Sequence, residues 1–249
     1  MAMNDCKKTI LITGGTSGIG RSLVDLAIAR QYEVAYCARN KPQLNYKNHK
    51  VLFCQADVSQ PDDMKHVVDK TVERFSQIDI VIHCAGISRD SLLVNLPAEQ
   101  WDEVMAINLR SAFLLSRLAV GQFQRQEMGG HIAFLASLAC YGAPSNACYA
   151  ASKGGLLGLS TAIAEESSGS GITANSFILG LIDTPMTADY PDLAKQILIE
   201  GSPLKRHAES DEIALDMLYL SEHCRHLING KHVHISGGLI DFPIGNRKS

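Results

Sequence analysis

Long apolar runs are absent from this sequence. No segment approaches the roughly 18 unbroken apolar residues of a membrane-spanning helix, so we expect no membrane association. Clusters of basic residues are absent as well. The 23 lysines and arginines and the 26 aspartates and glutamates give a formal net charge of −3, and no stretch is basic enough to follow a phosphate backbone. The sequence therefore argues against a nucleic-acid partner.

Paired cysteines and tight metal-ligand spacings are also missing. The seven cysteines include no C-x-x-C pair, which argues against a disulfide framework and a zinc ribbon and favours mostly buried, reduced thiols. They are Cys6, Cys37, Cys54, Cys84, Cys140, Cys148 and Cys224. The densest histidine group lacks four-ligand spacing, so we predict no metal site. It consists of His223, His226, His232 and His234 with Cys224. Residues 1–8 are polar and contain no apolar signal region, which favours a cytoplasmic protein.

The chain does contain a regular alternation of strand-like and helix-like segments. Its 249 residues, 46% hydrophobic and 20% charged, are enough for one large domain. The predicted strands are 9–13, 33–38, 51–55, 80–83, 131–136, 173–177 and 232–235. The predicted helices are 21–30, 62–75, 98–124, 147–167 and 211–220. This order predicts one α/β domain over residues 1–249: a doubly wound, Rossmann-like parallel sheet of seven strands with helices on both faces.

A long stretch without a predicted strand lies between residues 177 and 232. It contains Pro185, Pro191 and Pro203 around one short helical piece at 192–200. Such a segment is too long for a plain connection, and we predict a substrate lid at about 183–207.

A glycine-rich turn follows the first predicted strand. Residues 13–20 read Thr-Gly-Gly-Thr-Ser-Gly-Ile-Gly, at a position where backbone N–H groups and the helix dipole can hold a pyrophosphate. A tight turn needs glycine even without a ligand, but its place in the first β-α-β unit favours a dinucleotide site. The predicted contacts are Gly14, Thr16, Ser17, Gly18, Ile19 and Gly20.

Arg39 follows the second predicted strand, where an NAD site usually has an acidic residue for the ribose 2′-hydroxyl. A guanidinium there can pair with a 2′-phosphate, which favours NADP(H); a solvated arginine is the alternative. Asp57, followed by Val58, is either an acceptor for the adenine amino group or a turn acid.

Tyr149 and Lys153 are four residues apart, on one face of a predicted helix. A nearby cation favours phenolate and lowers the tyrosine pKa, so that the tyrosine can exchange a proton with an alcohol or carbonyl. Ser137, at the end of the fifth strand, can share the substrate oxygen, and Asn108 is a candidate to organise water behind the lysine. Each residue alone has a structural explanation. Together with the glycine turn, they predict an active site.

From Thr9 to Gly238 the chain resembles the single-domain short-chain dehydrogenase/reductase family. The resemblance is carried by Thr13-Gly14-x-x-x-Gly18-x-Gly20, Cys84-Ala85-Gly86, Asn108, Ser137 and Tyr149-x-x-x-Lys153. It implies that Cys84, Ala85 and Gly86 lie at the cofactor, with Ile182 and Thr184 at its nicotinamide end. It also implies a homotetramer or homodimer, for which helices 98–124 and 147–167 are the expected dimer face.

The same resemblance assigns catalytic roles. Tyr149 is the general acid in reduction, Ser137 fixes the carbonyl, and Asn108 supports the proton relay. Lys153 binds the nicotinamide ribose and tunes Tyr149, and hydride comes from C4 of the cofactor.

A narrower resemblance, to 3-oxoacyl-[acyl-carrier-protein] reductases, runs through residues 86–93 and 171–175. These reductases often have basic residues before the fifth and sixth strands to dock the acidic carrier, where this chain has Met128 and Ser170. Arg89 and Arg125 are candidates to compensate, so an acyl carrier protein stays a possible partner. The usual Asn-Asn before Ala-Gly is His83-Cys84, and the usual Pro-Gly after the sixth strand is Leu179-Gly180.

The residues expected around the substrate are Leu93, Leu138, Tyr141 and Met186. They are mostly apolar and include no arginine clamp for a carboxylate, which favours an acyl thioester, ketone or secondary alcohol. The leading hypothesis is NADPH-dependent reduction of a 3-oxoacyl thioester, in fatty acid or polyketide metabolism. The alternatives are a dehydrogenase of free alcohols, sugars or steroids, and a non-catalytic dinucleotide-binding protein.

Overall fold

The computed structural model describes residues 8–42, 46 and 49–240, so Cys6 and most of the polar start lie outside the described residues. Seven parallel strands form one sheet in the order β3-β2-β1-β4-β5-β6-β9. They are β1 Thr9–Thr13, β2 Glu33–Ala38, β3 Val51–Gln55, β4 Ile80–His83, β5 Gly130–Ser137, β6 Ile172–Leu179 and β9 His232–Ile235. Two further strands, β7 Ile182–Asp183 and β8 Ala208–Glu209, pair only with each other. The predicted seven-stranded Rossmann-like sheet is confirmed.

Helices cover both faces of the sheet. They are α1 Gly18–Ala29, α2 Pro61–Phe75, α3 Ala98–Met105, α4 Ser111–Arg125, α5 Ala147–Glu166, α6 Asp192–Gly201 and α7 Ser210–Tyr219. Alternate residues of β1 point to opposite faces. Leu11 packs in the core under α2, α4 and α5, whereas Ile10 and Ile12 pack in the core under α1 and α7. This two-sided burial explains why the strands are apolar without a polar face.

The single helix predicted over 98–124 is interrupted. A π-helical turn, Ala106–Arg110, separates α3 from α4. Ser111 donates its hydroxyl hydrogen to the carbonyl of Ile107, four residues earlier, and the Asn108 side chain bonds to the Ile87 backbone outside the helix. Such π turns often occur at functional sites, and here the turn lies beside the carboxyl end of β4.

The stretch Ala98–Arg125 is long and apolar enough to cross a membrane by length and composition alone, with a mean hydropathy of 1.3 in its most apolar window. Its inner face is in the core of the domain: Ala112, Leu115, Ala119 and Phe123 are all at most 1% exposed. These contacts are those of a core helix.

The six described cysteines are all free. Cys37, Cys54 and Cys148 are buried, whereas Cys84, Cys140 and Cys224 are partly exposed. The expectation that most cysteines are buried therefore holds for only half of those described.

Candidate active site

The candidate site lies at the carboxyl ends of β1, β4, β5 and β6. The strand order reverses between β1 and β4, and such a switch point leaves a crevice above the sheet. A cavity of about 580 Å³ occupies this edge. The cavity extends from the glycine turn after β1 to α6. One face of α6, with Ala194, Ile197 and Leu198, forms its outer wall.

The glycine turn leaves no space for side chains. Gly14 has φ +67°, and a Cβ atom on Gly20 would lie 2.3 Å from the carbonyl oxygen of Gly14. The Gly15 amide donates to the carbonyl of Cys37 at 3.2 Å, which ties the turn to β2. The turn thus presents bare backbone at the N-terminus of α1, the arrangement that accepts a pyrophosphate.

Most of the predicted cofactor residues line this cavity. They are Gly14, Ser17, Gly18, Ile19, Gly20, Cys84, Ala85, Gly86, Tyr149, Lys153, Ile182 and Thr184. Thr16, Arg39, Asp57 and Val58 are not part of its wall.

The predicted adenosine-side residues have distinct surroundings. Arg39 is exposed just beyond β2 and has no ion-pair partner among the residues that the structure describes. Oδ1 of Asp57 accepts hydrogen bonds from the Ser59 amide at 2.9 Å and the Ser59 hydroxyl at 2.8 Å. Asp57 therefore acts as a turn acid, which leaves its other oxygen for a ligand. Val58 is buried at 7% exposure.

Tyr149, Lys153 and Ser137 converge at the floor of the cavity. Tyr149 and Lys153 lie one turn apart on α5, and Nζ of Lys153 is 5.5 Å from the centre of the Tyr149 ring. The Ser137 hydroxyl, at the end of β5, lies near enough to Tyr149 to lower its pKa, and it accepts a hydrogen bond from the Ala139 amide at 3.2 Å. A carbonyl placed between the two hydroxyl groups would meet two donors.

The ionisation of this group differs in part from the expectation. Desolvation raises the pKa of Tyr149 above its ordinary value, with smaller contributions from Tyr190 and Asp90, and the nearby Ser137 hydroxyl only partly offsets this. The expected lowering of this pKa by Lys153 is not found, because desolvation dominates. Burial also lowers the pKa of Lys153 to about 8. Tyr149 therefore stays a protonated phenol, the form that donates to a substrate oxygen.

Asn108 is held by bonds within the chain. Its Oδ1 accepts from the Ile87 amide at 2.8 Å, and its Nδ2 donates to the Ile87 carbonyl at 2.9 Å and to the Ser152 hydroxyl at 3.0 Å. Both donors of the side-chain amide are thus used. The side chain fixes the loop after β4 against α5, while Nζ of Lys153 donates to the Leu135 carbonyl at 2.7 Å.

His83 joins the glycine turn to the π-helical turn, a connection that the sequence did not reveal. The Ala85 amide donates to the Thr13 hydroxyl at 3.2 Å, and this hydroxyl lies 2.9 Å from Nδ1 of His83. Nε2 of His83 lies 3.1 Å from the Ser111 hydroxyl, which donates to Ile107. The Ser111 hydroxyl already donates to Ile107, so it accepts a hydrogen bond from Nε2 of His83. The Thr13 hydroxyl in turn donates to Nδ1, so the imidazole carries its proton on Nε2. Burial lowers the pKa of His83 to about 3, so the ring stays neutral.

Only one of the four predicted substrate residues, Met186, lines the cavity. Leu138 is instead buried in the core at 2% exposure, and Leu93 is 70% exposed on a surface turn. Tyr141 points away, because its hydroxyl bonds Nε2 of His234 at 3.2 Å and the two rings stack. The cavity wall also includes Asp90 and Asn146, which were not singled out from the sequence, and Tyr190, Ala194 and Ile197 from the segment predicted as the lid.

The cations expected to dock an acidic carrier are engaged within the chain. Arg89 makes two bonds of 3.0 Å to the carboxylate of Glu103, and Arg125 bonds the side chain of Gln122. Arg206, in the predicted lid, makes two bonds of 2.7 Å to Glu212. An acidic surface that binds Arg89 or Arg206 would have to compete with Glu103 or Glu212.

A group of possible metal ligands lies next to the lid. Asp183, His207 and Glu209 have ligand atoms within 4.8 Å of one another, because β7 and β8 place Asp183 opposite Glu209. His207 is 3.2 Å from the Glu209 carboxylate. This contact and the pairing of β7 with β8 bring the three side chains together. His232 and His234, from the histidine-rich C-terminal region, bond Thr161 and Tyr141 respectively.

Comparison with known proteins agrees with the geometry. Residues 8–194 match the short chain dehydrogenase family. Over 240 residues, covering 94% of this chain and 98% of the relative, the sequence is 32% identical to the 3-oxoacyl-[acyl-carrier-protein] reductase FabG of Thermotoga maritima. The proteins of the same name from Staphylococcus epidermidis and Salmonella typhimurium are 31% and 29% identical, over 93% of this chain and 98% and 97% of their own lengths. The fold, the site and these matches together show that the chain belongs to the short-chain dehydrogenase family of oxidoreductases.

Proposed function

We propose that this protein reduces a carbonyl compound to a secondary alcohol with NADPH as the hydride donor. The observation that carries the proposal is the convergence of Ser137, Tyr149 and Lys153 in the cavity that begins at the glycine turn. A dinucleotide-binding module alone would need the turn, but not a phenol and a serine hydroxyl directed at one point.

The residues of the chain divide the proposed chemistry. The dinucleotide, when bound, supplies the hydride. Ser137 donates a hydrogen bond that fixes the substrate carbonyl, and Tyr149 gives its phenolic proton to the oxygen as the alcohol forms. Lys153, below the phenol, is placed to hold the nicotinamide ribose and to stabilise the phenolate left after proton transfer. Asn108 keeps the loop after β4 in place and thereby supports the relay.

The fit of a dinucleotide is supported by the bare turn, where any side chain on Gly20 would collide with Gly14. NADPH is favoured over NADH because the exposed guanidinium of Arg39 has no carboxylate partner among the described residues. Asp57 is the proposed acceptor for the adenine amino group, since its second oxygen is not used by the Ser59 hydrogen bonds.

The Tyr149→Phe variant tests the mechanism. It keeps the ring but removes the proton donor, so we expect NADPH oxidation to fall by about 10²- to 10⁴-fold while NADPH affinity, followed by its fluorescence, is retained. Tyr141→Phe is the matched control, because Tyr141 bonds His234 outside the cavity wall. Unchanged turnover in Tyr149→Phe would refute the mechanism.

The Arg39→Ala variant tests the cofactor. Removal of a partner for the 2′-phosphate is expected to weaken NADPH binding at least about tenfold and to leave NADH binding nearly unchanged. Arg30→Ala, an exposed arginine at the end of α1, controls for the loss of a surface charge. Equal losses for both cofactors would exclude the 2′-phosphate contact.

The proposed substrate class is a 3-oxoacyl thioester. It is supported by the names of the relatives and by an outer cavity wall that contains Met186, Ala194, Ile197 and Leu198. A free ketone, alcohol, sugar or steroid is the second candidate, favoured by the engagement of Arg89 and Arg206 with Glu103 and Glu212. NADPH oxidation with acetoacetyl-carrier protein, acetoacetyl-CoA and a panel of free ketones separates them. Activity on free ketones alone would eliminate the carrier-bound substrate.

We also propose that the protein is a homotetramer or homodimer joined through α4 and α5. The support is Phe113 on α4, which is 47% exposed and has the guanidinium of Arg117 at 5.9 Å from its ring centre. Light scattering of the purified protein gives its mass. The variant Phe113→Glu is expected to shift that mass toward the monomer.

A further inference from the structure

Two polar side chains in the cavity wall have no role in the proposed proton relay. Asp90 lies on the loop after β4, and Tyr190 lies at the end of the turn that precedes α6. Both line the same cavity as Tyr149. They approach it from two different segments of the chain, one of which is the predicted lid.

The carboxylate of Asp90 is not neutralised. Its Oδ1 accepts one hydrogen bond, from the Ser88 hydroxyl at 2.7 Å, and no lysine, arginine or histidine pairs with it among the described residues. The neighbouring Arg89 is bound to Glu103 instead. Among the cavity-lining residues that the structure describes, the charged side chains are Asp90 and Lys153. Asp90 is exposed, so water meets its free oxygen until a donor group of the substrate replaces that water.

The hydroxyl of Tyr190 also lacks a partner among the described residues, although its ring is partly buried. The backbone around it is fixed. The Tyr190 amide donates to the Thr187 carbonyl at 3.2 Å, and the Thr187 hydroxyl donates to the Ile182 carbonyl at 2.6 Å. The backbone that carries the phenol is therefore fixed beside the cavity.

The two groups lie within electrostatic reach of the reacting centre. Burial raises the pKa of Tyr190, and the charge of Asp90 raises it further. The same charge adds to the desolvation that raises the pKa of Tyr149. An acceptor and a donor thus stand near the phenol that would protonate the substrate.

We propose that Asp90 and Tyr190 form a recognition pair for the part of the substrate beside the reacting carbonyl. Asp90 accepts a hydrogen bond from an N–H or O–H group of the substrate, and Tyr190 donates one to a second substrate oxygen. The pair selects neutral carbonyl compounds that carry a hydrogen-bond donor, such as a thioester whose thiol arm contains an amide. It disfavours a carboxylate or phosphate at this position, because Asp90 would repel it. This inference rests on the proposed carbonyl reduction.

Two thioesters with the same acyl group test the pair. The N-acetylcysteamine thioester of acetoacetate has one amide N–H, and the S-ethyl thioester has no donor. Since a hydrogen bond to a charged acceptor is strong, we expect kcat/KM to favour the first by at least about tenfold. In Asp90→Ala this ratio should fall to near one. Tyr190→Phe should raise KM for the N-acetylcysteamine thioester with little change in kcat. Asp90→Asn should improve turnover of free acetoacetate, because the repelling charge is removed.

Matched controls are available on the same surface. Asp189→Asn removes an exposed lid carboxylate outside the cavity wall, and Tyr219→Phe removes an exposed phenol on α7; both should leave the ratio unchanged. NADPH affinity and circular dichroism verify that each variant is folded. If the protein reduces both thioesters but Asp90→Ala leaves their ratio unchanged, the recognition pair is refuted and the proposed function stands. If the unmodified protein reduces no carbonyl compound with NADPH, the proposed function itself fails.

Discussion

The burial of Lys153 should make the stability of this protein depend on pH in a specific window. The side chain is 4% exposed, and burial lowers its pKa from 10.5 to about 8. Between these two values the unfolded chain binds a proton that the folded chain has released, so the free energy of unfolding rises with pH. The difference of about 2.5 pKa units corresponds to about 3 kcal/mol. The free energy of unfolding is lower by this amount below pH 8, and it recovers as the pH rises from about 8 to 10.5.

The Lys153→Met variant isolates this contribution. Methionine fills a similar volume without an ionisable group, and the lost bond to the Leu135 carbonyl costs the same free energy at every pH. Urea unfolding of both proteins, without cofactor and at one protein concentration, should show that the unmodified protein gains about 2 to 3 kcal/mol relative to the variant between pH 7 and pH 10. The contributions of all other titrating groups to the free energy of unfolding are the same in both proteins and cancel in the difference. A difference that stays constant over this range would refute the burial of a charged lysine.

Three further changes probe the turn, the histidine and the surface. Gly20→Ala places a methyl group 2.3 Å from the Gly14 carbonyl, so NADPH affinity measured by fluorescence titration should fall at least about tenfold; normal binding would contradict the tight turn. His83→Leu leaves the Thr13 and Ser111 hydroxyl groups without their shared partner and should lower the free energy of unfolding by about 2 kcal/mol. Because folding lowers the pKa of His83 from 6.5 to about 3, only the unfolded chain binds this proton at pH 5, so the loss should shrink by about 2 kcal/mol between pH 8 and pH 5. A loss that instead grows at lower pH would show a charged imidazole in the folded protein. Arg206→Ala removes an exposed ion pair and should not measurably change the melting temperature, whereas a large drop would show that the lid depends on it.

The sheet could be predicted almost completely from the sequence. The bounds of β1, β2, β3, β4 and β9 are those expected, because each is a short β-branched or apolar run between turn residues. β5 is two residues longer and β6 three residues longer than predicted, since pairing between them continues through Gly130 and Leu179 at opposite ends. Parallel order then brings the carboxyl ends to one edge, which explains why motifs distant in sequence meet there.

The interruption of the predicted long helix could not be read from the sequence. The apolar period continues through residues 106–110, and only the bonds of Asn108 to Ile87 and of Ser111 to Ile107 reveal the wider turn. Strands β7 and β8 are likewise invisible, because two residues are too few to form a pattern. Both features depend on contacts between segments distant in the chain.

The substrate side was the least predictable part of the site. Tyr141 follows Ser137 closely in sequence, yet its ring turns toward His234 on the edge strand. Tyr190, more than 40 residues after Tyr149, reaches the cavity because the segment before α6 forms part of its wall. Spacing also misjudged the ionisation of Tyr149, since the helix period places Lys153 nearby but does not show how far desolvation acts on the phenol.

The polar groups around the cavity fall into two classes by their hydrogen bonds. In the first class, His83 and Asn108 are almost fully buried. Both ring nitrogens of His83 and both amide donors of Asn108 form hydrogen bonds within the chain. Such saturated groups have little capacity left for a ligand, so their contribution is to fix the backbone that carries the site. Asp90 and Tyr190 retain unused hydrogen-bonding capacity among the described residues and face open space. Asp90 is exposed and Tyr190 is partly buried, so water holds this unused capacity and a substrate group can replace that water, which is why the second class, rather than the first, should determine what is reduced.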